Sequence, residues 1–247
     1  FSPYIEICAA GKNGAVLHYH ANDSVLEDGQ MLLMDAGVQL NGYASDITTT
    51  FPINGKFTER QAAIYNAVLK GNRAVIAALK PGINWQDLHV LAEDVMLAEL
   101  QKLNFFKADA TFEELKEKRL IYYFFPHGLG HYIGTYVHDL KGDPMFEGQK
   151  KEIKKQRIRF YRVLEAGMCV TVEPGLYFIR RLLDQGYKDE EVAGYFNKEV
   201  IEDFMREVQA VRIEDMVHVG VTGADLLTSH LPRTTQEIES CMTSGTW

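Results

Sequence analysis

The sequence predicts an α+β domain built from a duplicated strand-and-helix unit. One phrase occurs twice, as VLEDGQMLLMDAG at 25–37 and VLEAGMCVTVEPG at 163–175. Without gaps the copies agree at Val25/Val163, Leu26/Leu164, Glu27/Glu165, Gly29/Gly167 and Gly37/Gly175. Each closes an apolar run with a carboxylate, Asp35 in the first and Glu173 in the second. Short β-type runs punctuated by Gly and Asn also alternate with long stretches of helical spacing. No low-complexity linker divides the 247 residues, so both copies belong to one domain. Two copies at this separation point to a pseudo-twofold, not a solenoid.

Residues 4–8 (YIEIC) and 14–19 (GAVLHY) read as strands around the turn AAGKNG. MLLMD at 31–35 is a buried strand and 42–53 another, joined by a hairpin in which Asn41-Gly42 supplies the positive φ of a tight turn. Thr58 with Gln61 is a capping-box pattern, followed by Ile64, Val68, Ala74, Val75 and Leu79 at near-helical spacing, and Pro81-Gly82 ends that helix. Asn84 caps a second helix carrying Leu88, Leu91, Val95, Leu97 and Leu100. A charged third helix is expected over 111–119. Residues 121–139 are glycine-punctuated and β-like, and 146–162 are strongly basic and expected to be exposed. MCVTVE at 168–173 repeats the buried strand, 187–207 reads as helix, and 208–219 (VQAVRIEDMVHV) as a final strand.

Hydrophobic residues at 46% and charged residues at 24% are ordinary for a soluble domain with a real core. A net charge of −8 argues against nucleic acid as the main partner. Cys8, Cys169 and Cys241 form no CxxC pattern. They argue against a disulfide framework and a thiolate zinc centre, and they fit a reducing, cytoplasmic compartment. No run of 18 apolar residues is present, so no membrane partner is expected.

The anomaly is acid inside apolar strands. Asp35, Asp46, Glu173 and Glu214 all have hydrophobic neighbours, where a bare carboxylate is costly unless paired or bound to metal. One alone would read as a turn cap or a partner of Arg212. Four in one domain, two of them related by the repeat, make that reading the weaker. A twofold relation would bring Asp35 and Glu173 together at the axis. HGLGHYIGTYVHD adds imidazoles; Gly128 and Gly130 make a helix doubtful there and let a side chain approach closely, so one of His127 and His131 is expected as a ligand. Four carboxylates and an imidazole are a hard, oxygen-rich set, suited to Mn²⁺ with Co²⁺ or Zn²⁺ as substitutes. They suffice for two divalent metal ions roughly 3.5–4 Å apart.

At these residues the chain resembles the pita-bread metallopeptidases, the group of methionine aminopeptidase, aminopeptidase P and Xaa-Pro dipeptidase. The motifs MDAG-x₈-D, PHGLGH…VHD, TVEPG and VRIED stand in the family's order and spacing over essentially the whole chain. The resemblance implies a strongly bent antiparallel sheet covered by helices, with duplicated halves. It implies Asp35, Asp46, His131, Glu173 and Glu214 as dinuclear ligands. Asp35 and Asp46 would hold one ion, Asp35, His131 and Glu173 the other, and Glu214 both. Glu173 would be the general base, His18 a pocket residue that shuttles protons, and His138 a donor to the substrate carbonyl or oxyanion. His127 would lie close to the proline ring, with Tyr177 and Arg212 at the pocket or behind the ligands.

The long stretch from Leu140 to Thr171 and the long connection from EPGLYF to VRIE look like the dipeptidase branch. There an arginine binds the free carboxylate of a dipeptide, and Arg159, fourteen residues before Glu173, occupies the matching position; otherwise Arg157, Arg159 and Arg162 merely solvate a turn. The implied function is cleavage of dipeptides with C-terminal proline by metal-activated hydroxide, in a homodimer. The LHYHAND stretch is as close to aminopeptidase P, which takes longer peptides. A non-catalytic protein-binding domain is disfavoured because all five ligand positions are filled. Residues 1–247 are expected to be a C-terminal catalytic domain lacking an N-terminal domain and its own first helices, which an associated N-terminal fragment could supply.

Overall fold

Antiparallel pairing organises every sheet in the structure, a computed structural model that describes residues 1–140 and 158–245. The chain runs through β1 (Ile7–Ala10), β2 (Met31–Ala36), β3 (Gln39–Leu40), β4 (Tyr43–Ala44), β5 (Ile47–Pro52), α1 (Glu59–Ala78), α2 (Trp85–Lys102) and α3 (Phe112–Glu117). It continues through β6 (Cys169–Val172), β7 (Gly175–Tyr177), α4 (Arg180–Lys188), α5 (Lys198–Glu207), β8 (Ala210–Arg212), β9 (Asp215–Val219), β10 (Ala224–Leu226) and α6 (Thr235–Ser244). One three-stranded sheet has the order β1-β2-β5 and another β10-β9-β6, with β3-β4 and β7-β8 as two-stranded ribbons. An isolated bridge, Thr48 to Glu214, joins the first sheet to the lead-in of β9.

The helix signals hold because local capping and burial agree. Thr58 and Gln61 form the reciprocal capping box of α1, Thr111 and Glu114 that of α3, and the Asn84 side chain caps α2. Ile64, Val68 and Val75 of α1 and Leu88, Met96 and Leu100 of α2 are fully buried, in one core with Val170, Val172 and Val217 of the second sheet. The two helices approach closely at Gly71, where an added Cβ would lie 3.1 Å from Met96 Cγ. Among the described residues no helix is long and apolar enough to cross a membrane.

Four expectations are corrected. The strand expected at 14–19 is absent: Gly11–Ala15 is a 3₁₀ turn, and the first strand sits at Ile7–Ala10, paired with β2 from Ile7 opposite Asp35. With β2 already flanked by β1 and β5, residues 14–19 have no edge there to join. The β-like 121–139 segment carries only a 3₁₀ turn at Leu120–Tyr123 and a bridge from Tyr132 to Val170, although its backbone does run along β6. The helix expected over 187–207 is two. α4 starts earlier and α5 later, because residues between them turn to bond with the Phe105–Lys107 backbone (Lys107 N to Tyr195 O, Asn197 N to Phe105 O). The strand at 208–219 breaks at Ile213–Glu214, since β8 pairs with β7 and β9 with β6. β10 and α6 were not anticipated. Of the basic 146–162 stretch, 146–157 lies outside the described residues.

Candidate metal centre

Each acidic side chain reaches the centre from a strand end or a strand break. Asp35 stands in β2 opposite Thr48, and Asp46 directly precedes β5. Glu173 directly follows β6, and Glu214 occupies the break between β8 and β9. His131 comes from the irregular segment beside β6, where Thr171 N donates to its carbonyl at 2.9 Å. A Cβ at Gly130 would lie 2.0 Å from Thr171 O, so only glycine lets this backbone so near the strand.

Ligand atoms of Asp35, Asp46 and Glu214 lie within 4.8 Å of one another, as do those of His131, Glu173 and Glu214, and those of Asp46, His131 and His138. His131 Nε2 is 3.4 Å from Asp46, 3.5 Å from Glu173 and 4.0 Å from Glu214. All five sequence-predicted ligands therefore converge. The division differs from expectation: Asp46, not Asp35, stands beside His131. Asp35 and Glu173 likewise fall into separate groups, joined through Glu214.

A divalent cation fits this cluster. Glu214 is 2% exposed; one carboxylate oxygen accepts from Thr48 Oγ1 at 2.7 Å, while the other, Oε1, is buried without a partner. Burial, with Asp46 and Glu173 nearby, pushes Glu214 well above the usual carboxylate range. Burial also raises Glu173 to about 6. The Tyr4 hydroxyl lies 2.7 Å from Asp35 Oδ1 and 2.6 Å from Asp46 Oδ1, yet has one proton for the two. His131 Nδ1 is 2.9 Å from Tyr132 O; a carbonyl only accepts, so Nδ1 carries the proton and Nε2 is left for a metal. Crowded carboxylates, an orphaned oxygen and an oriented imidazole are what a bound cation would satisfy.

Behind Asp35 runs a second network. Arg212 Nη2 donates to Asp35 Oδ2 at 2.6 Å and Nη1 to Tyr177 Oη at 2.8 Å. Burial raises Asp35 against the pull of Arg212. Burial opposes the Arg212 charge too, but Tyr177, Asp35 and Glu214 hold the guanidinium ionised. His127 Nδ1 donates to Gly128 O at 2.8 Å, so Nε2 accepts from Tyr177 at 3.1 Å. Burial and then Arg212 lower His127 to about 3, which keeps the ring neutral.

The ligands line a cavity of about 80 Å³ together with His18, His127, His138, Arg159 and Arg212. Tyr177 is the one candidate set behind that wall, fully buried against His127 and Arg212. The His138 ring stands edge-on to His131 with centroids 4.4 Å apart; burial, His131 and Arg159 lower it to about 4. Burial and Arg212 lower His18 as well. Arg159 is followed by Phe160, stacked between Trp85 at 4.8 Å and Tyr132 at 4.1 Å. Sequence reasoning missed Tyr4 and Thr48. Thr48 had a signal, since Asp46, Thr48 and Thr50 alternate onto one strand face; Tyr4 had none.

A family model described as metallopeptidase family M24 matches residues 2–220. The chain is 46% identical over 243 residues to the Xaa-Pro dipeptidase of Mus musculus, covering 97% of this chain and 48% of that one. Among solved structures, Pseudomonas aeruginosa aminopeptidase PepP superposes with a TM-score of 0.78 at 36% identity, covering 98% of this chain and 48% of that chain. Zinc-substituted Escherichia coli aminopeptidase P in complex with product gives 0.80 at 34% identity, covering 100% and 49%. The chain thus spans about half the length of the relatives it matches. With the family model covering most of its residues and its carboxylates gathered into one cluster, the chain belongs to metallopeptidase family M24.

Proposed function

We propose that this chain carries the catalytic site of an Xaa-Pro dipeptidase, a hydrolase of dipeptides with C-terminal proline. The observation that carries the reading is one small cavity lined by the five ligand side chains and also by Arg159. A guanidinium there suits bidentate capture of a free prolyl carboxylate, which leaves the scissile bond toward the ligand cluster. Asp35, Asp46 and Glu214 would hold one ion and Asp46, His131, Glu173 and Glu214 a second, with Mn²⁺ the best match to the donor set. Such ions, when bound, polarise a carbonyl and lower the pKa of water.

The chain's own groups supply the rest. Glu173, with a carboxyl raised to about 6, takes a proton from the attacking water near neutral pH. His138 is neutral at that pH and donates N–H to the carbonyl oxygen as it gains charge. His18, at the cavity wall, exchanges protons with solvent and the prolyl nitrogen. His127, with both nitrogens engaged, offers its ring as a packing surface for proline. Arg212 and Tyr177 hold Asp35 and His127 in place. The same reading takes the sheets as duplicated halves of one bent sheet, since β1-β2-β5 resembles the series Tyr132 bridge, β6 and β9. The free cysteines agree with a cytoplasmic setting.

A second reading, aminopeptidase P, is kept in view by the likeness to two solved aminopeptidase P structures. Hydrolysis of Ala-Pro and Ala-Pro-Ala by Mn²⁺-loaded protein separates the two. Cleavage of the dipeptide alone is expected. Cleavage of the tripeptide would move the chain to aminopeptidase P and reduce Arg159 to a charge at the mouth. Cleavage of neither, with metal bound, would overturn both readings.

A further inference from the structure

We infer that Arg233 is a positioning residue of the metal centre, holding Glu214 and Thr48 in place from behind. It lies between β10 and α6, outside the residues matched by the family model, and does not line the cavity. It is 1% exposed. A buried guanidinium is costly unless its donors are satisfied, and here every N–H has an acceptor. Nε and Nη2 donate to Asp215 Oδ1 at 3.1 and 2.8 Å, and Nη2 also donates to Glu214 O at 2.6 Å. Nη1 donates to Thr48 O at 2.9 Å and to Thr49 Oγ1 at 2.8 Å.

The two backbone carbonyls it grips belong to the isolated bridge between the sheets. Glu214 N donates to Thr48 O at 3.0 Å, and on the side-chain level Thr48 Oγ1 donates to Glu214 Oε2. Glu214 sits where β8 has ended and β9 has not begun, so no ladder on either side sets its backbone. Arg233 supplies that restraint. It is fixed in turn by Tyr65 Oη donating to its carbonyl at 2.9 Å and by its own N–H donating to Glu237 of α6 at 3.0 Å. Glu214, one of the ligands common to both ion groups, is thereby tied to α6.

The inference rests on the metal-site reading, and one experiment separates their failures. Mn²⁺ dissociation constants and the visible absorption of the Co²⁺-loaded protein are measured for wild type, Arg233→Lys and Ile238→Ala, beside thermal unfolding. Lysine keeps the charge but cannot span Asp215 and both carbonyls. Ile238→Ala loosens buried α6 without touching the guanidinium contacts. Arg233→Lys is expected to weaken Mn²⁺ binding about 10-fold or more and to shift the Co²⁺ bands; Ile238→Ala is expected to lower the melting temperature and leave both unchanged. Lost stability in Arg233→Lys with unaltered metal affinity and spectrum would overturn the inference. Should that variant not fold, Thr49→Val, which removes a single acceptor of Nη1, is expected to weaken Mn²⁺ binding about 2–10-fold, the net worth of one hydrogen bond; no change would overturn the inference equally. Wild type without Mn²⁺ binding would instead overturn the metal-site reading.

Discussion

Burial works against the charged form of Glu173. Burial raises its carboxyl from 4.5 to about 6, so the folded metal-free protein binds the proton more tightly than the unfolded chain. The sign follows from linkage. Stability from this group is present below about 4.5 and is lost as pH rises through about 6. Chelator-treated protein should therefore melt at progressively lower temperature across that window, and Glu173→Gln should flatten the slope there. An unchanged slope in the variant would remove Glu173 as its source. The carboxylates themselves were legible because an acid in an apolar strand is an anomaly whatever the fold. Tyr4 was not, since a hydroxyl on a half-buried segment violates no pattern, while Thr48 showed only in its alternation with Asp46 and Thr50. The misplaced pairing of Asp35 with His131 has a similar origin, because which aspartate faces His131 depends on the β2–β5 register.

Helix α2 shows how an element far from the chemistry holds it. His89 Nδ1 accepts from Leu129 N at 3.1 Å, and its Nε2 lies 3.1 Å from Glu93 Oε1. Glu93 is held in turn by Arg119, with Nη1 at 2.6 Å. Leu129 O then accepts from Glu173 N at 2.8 Å, so the path from α2 ends on the backbone of the proposed base. The contacts of His89 are those of a support for the loop bearing His127. His89→Ala leaves the Leu129 amide and part of Glu93 buried without partners, at about 1–3 kcal/mol for each unsatisfied group. A lower melting temperature and a fall in kcat larger than any change in KM are expected. His89→Asn, which can still accept from Leu129, should recover part of both; no recovery would mean that ring packing on Phe125 is what matters. At this level caps made Thr58 and Asn84 readable as helix starts. The break at Glu214 was not, because the alternation of VRIEDMVHV continues through it while the pairing partner changes.

The two sheets meet at very few backbone points, and the cluster spans their junction. Asp35 and Asp46 come from the β2–β5 side, while His131 and Glu173 come from segments beside β6 and Glu214 from the entry to β9. The repeated phrase made a junction of halves foreseeable, and the family resemblance implied Glu214 as a group shared across it. Without a cation the junction concentrates like charge and holds an unpartnered oxygen on Glu214. With one, the repulsion becomes cross-linking between sheets already tied here by the Thr48–Glu214 bridge and the Arg233 contacts. A ligand at 100 times its dissociation constant stabilises the folded state by about 2.7 kcal/mol, which for a chain of this size is roughly 5–10 °C in melting temperature. Mn²⁺ should raise the melting temperature by that amount and slow amide exchange in β2, β5 and the Glu214 segment. The amides inside α1 and α2, helices that contribute no ligand, should change less. Equal protection of helices and sheets would mean that the ion stabilises the molecule globally and that the junction is not its weak point.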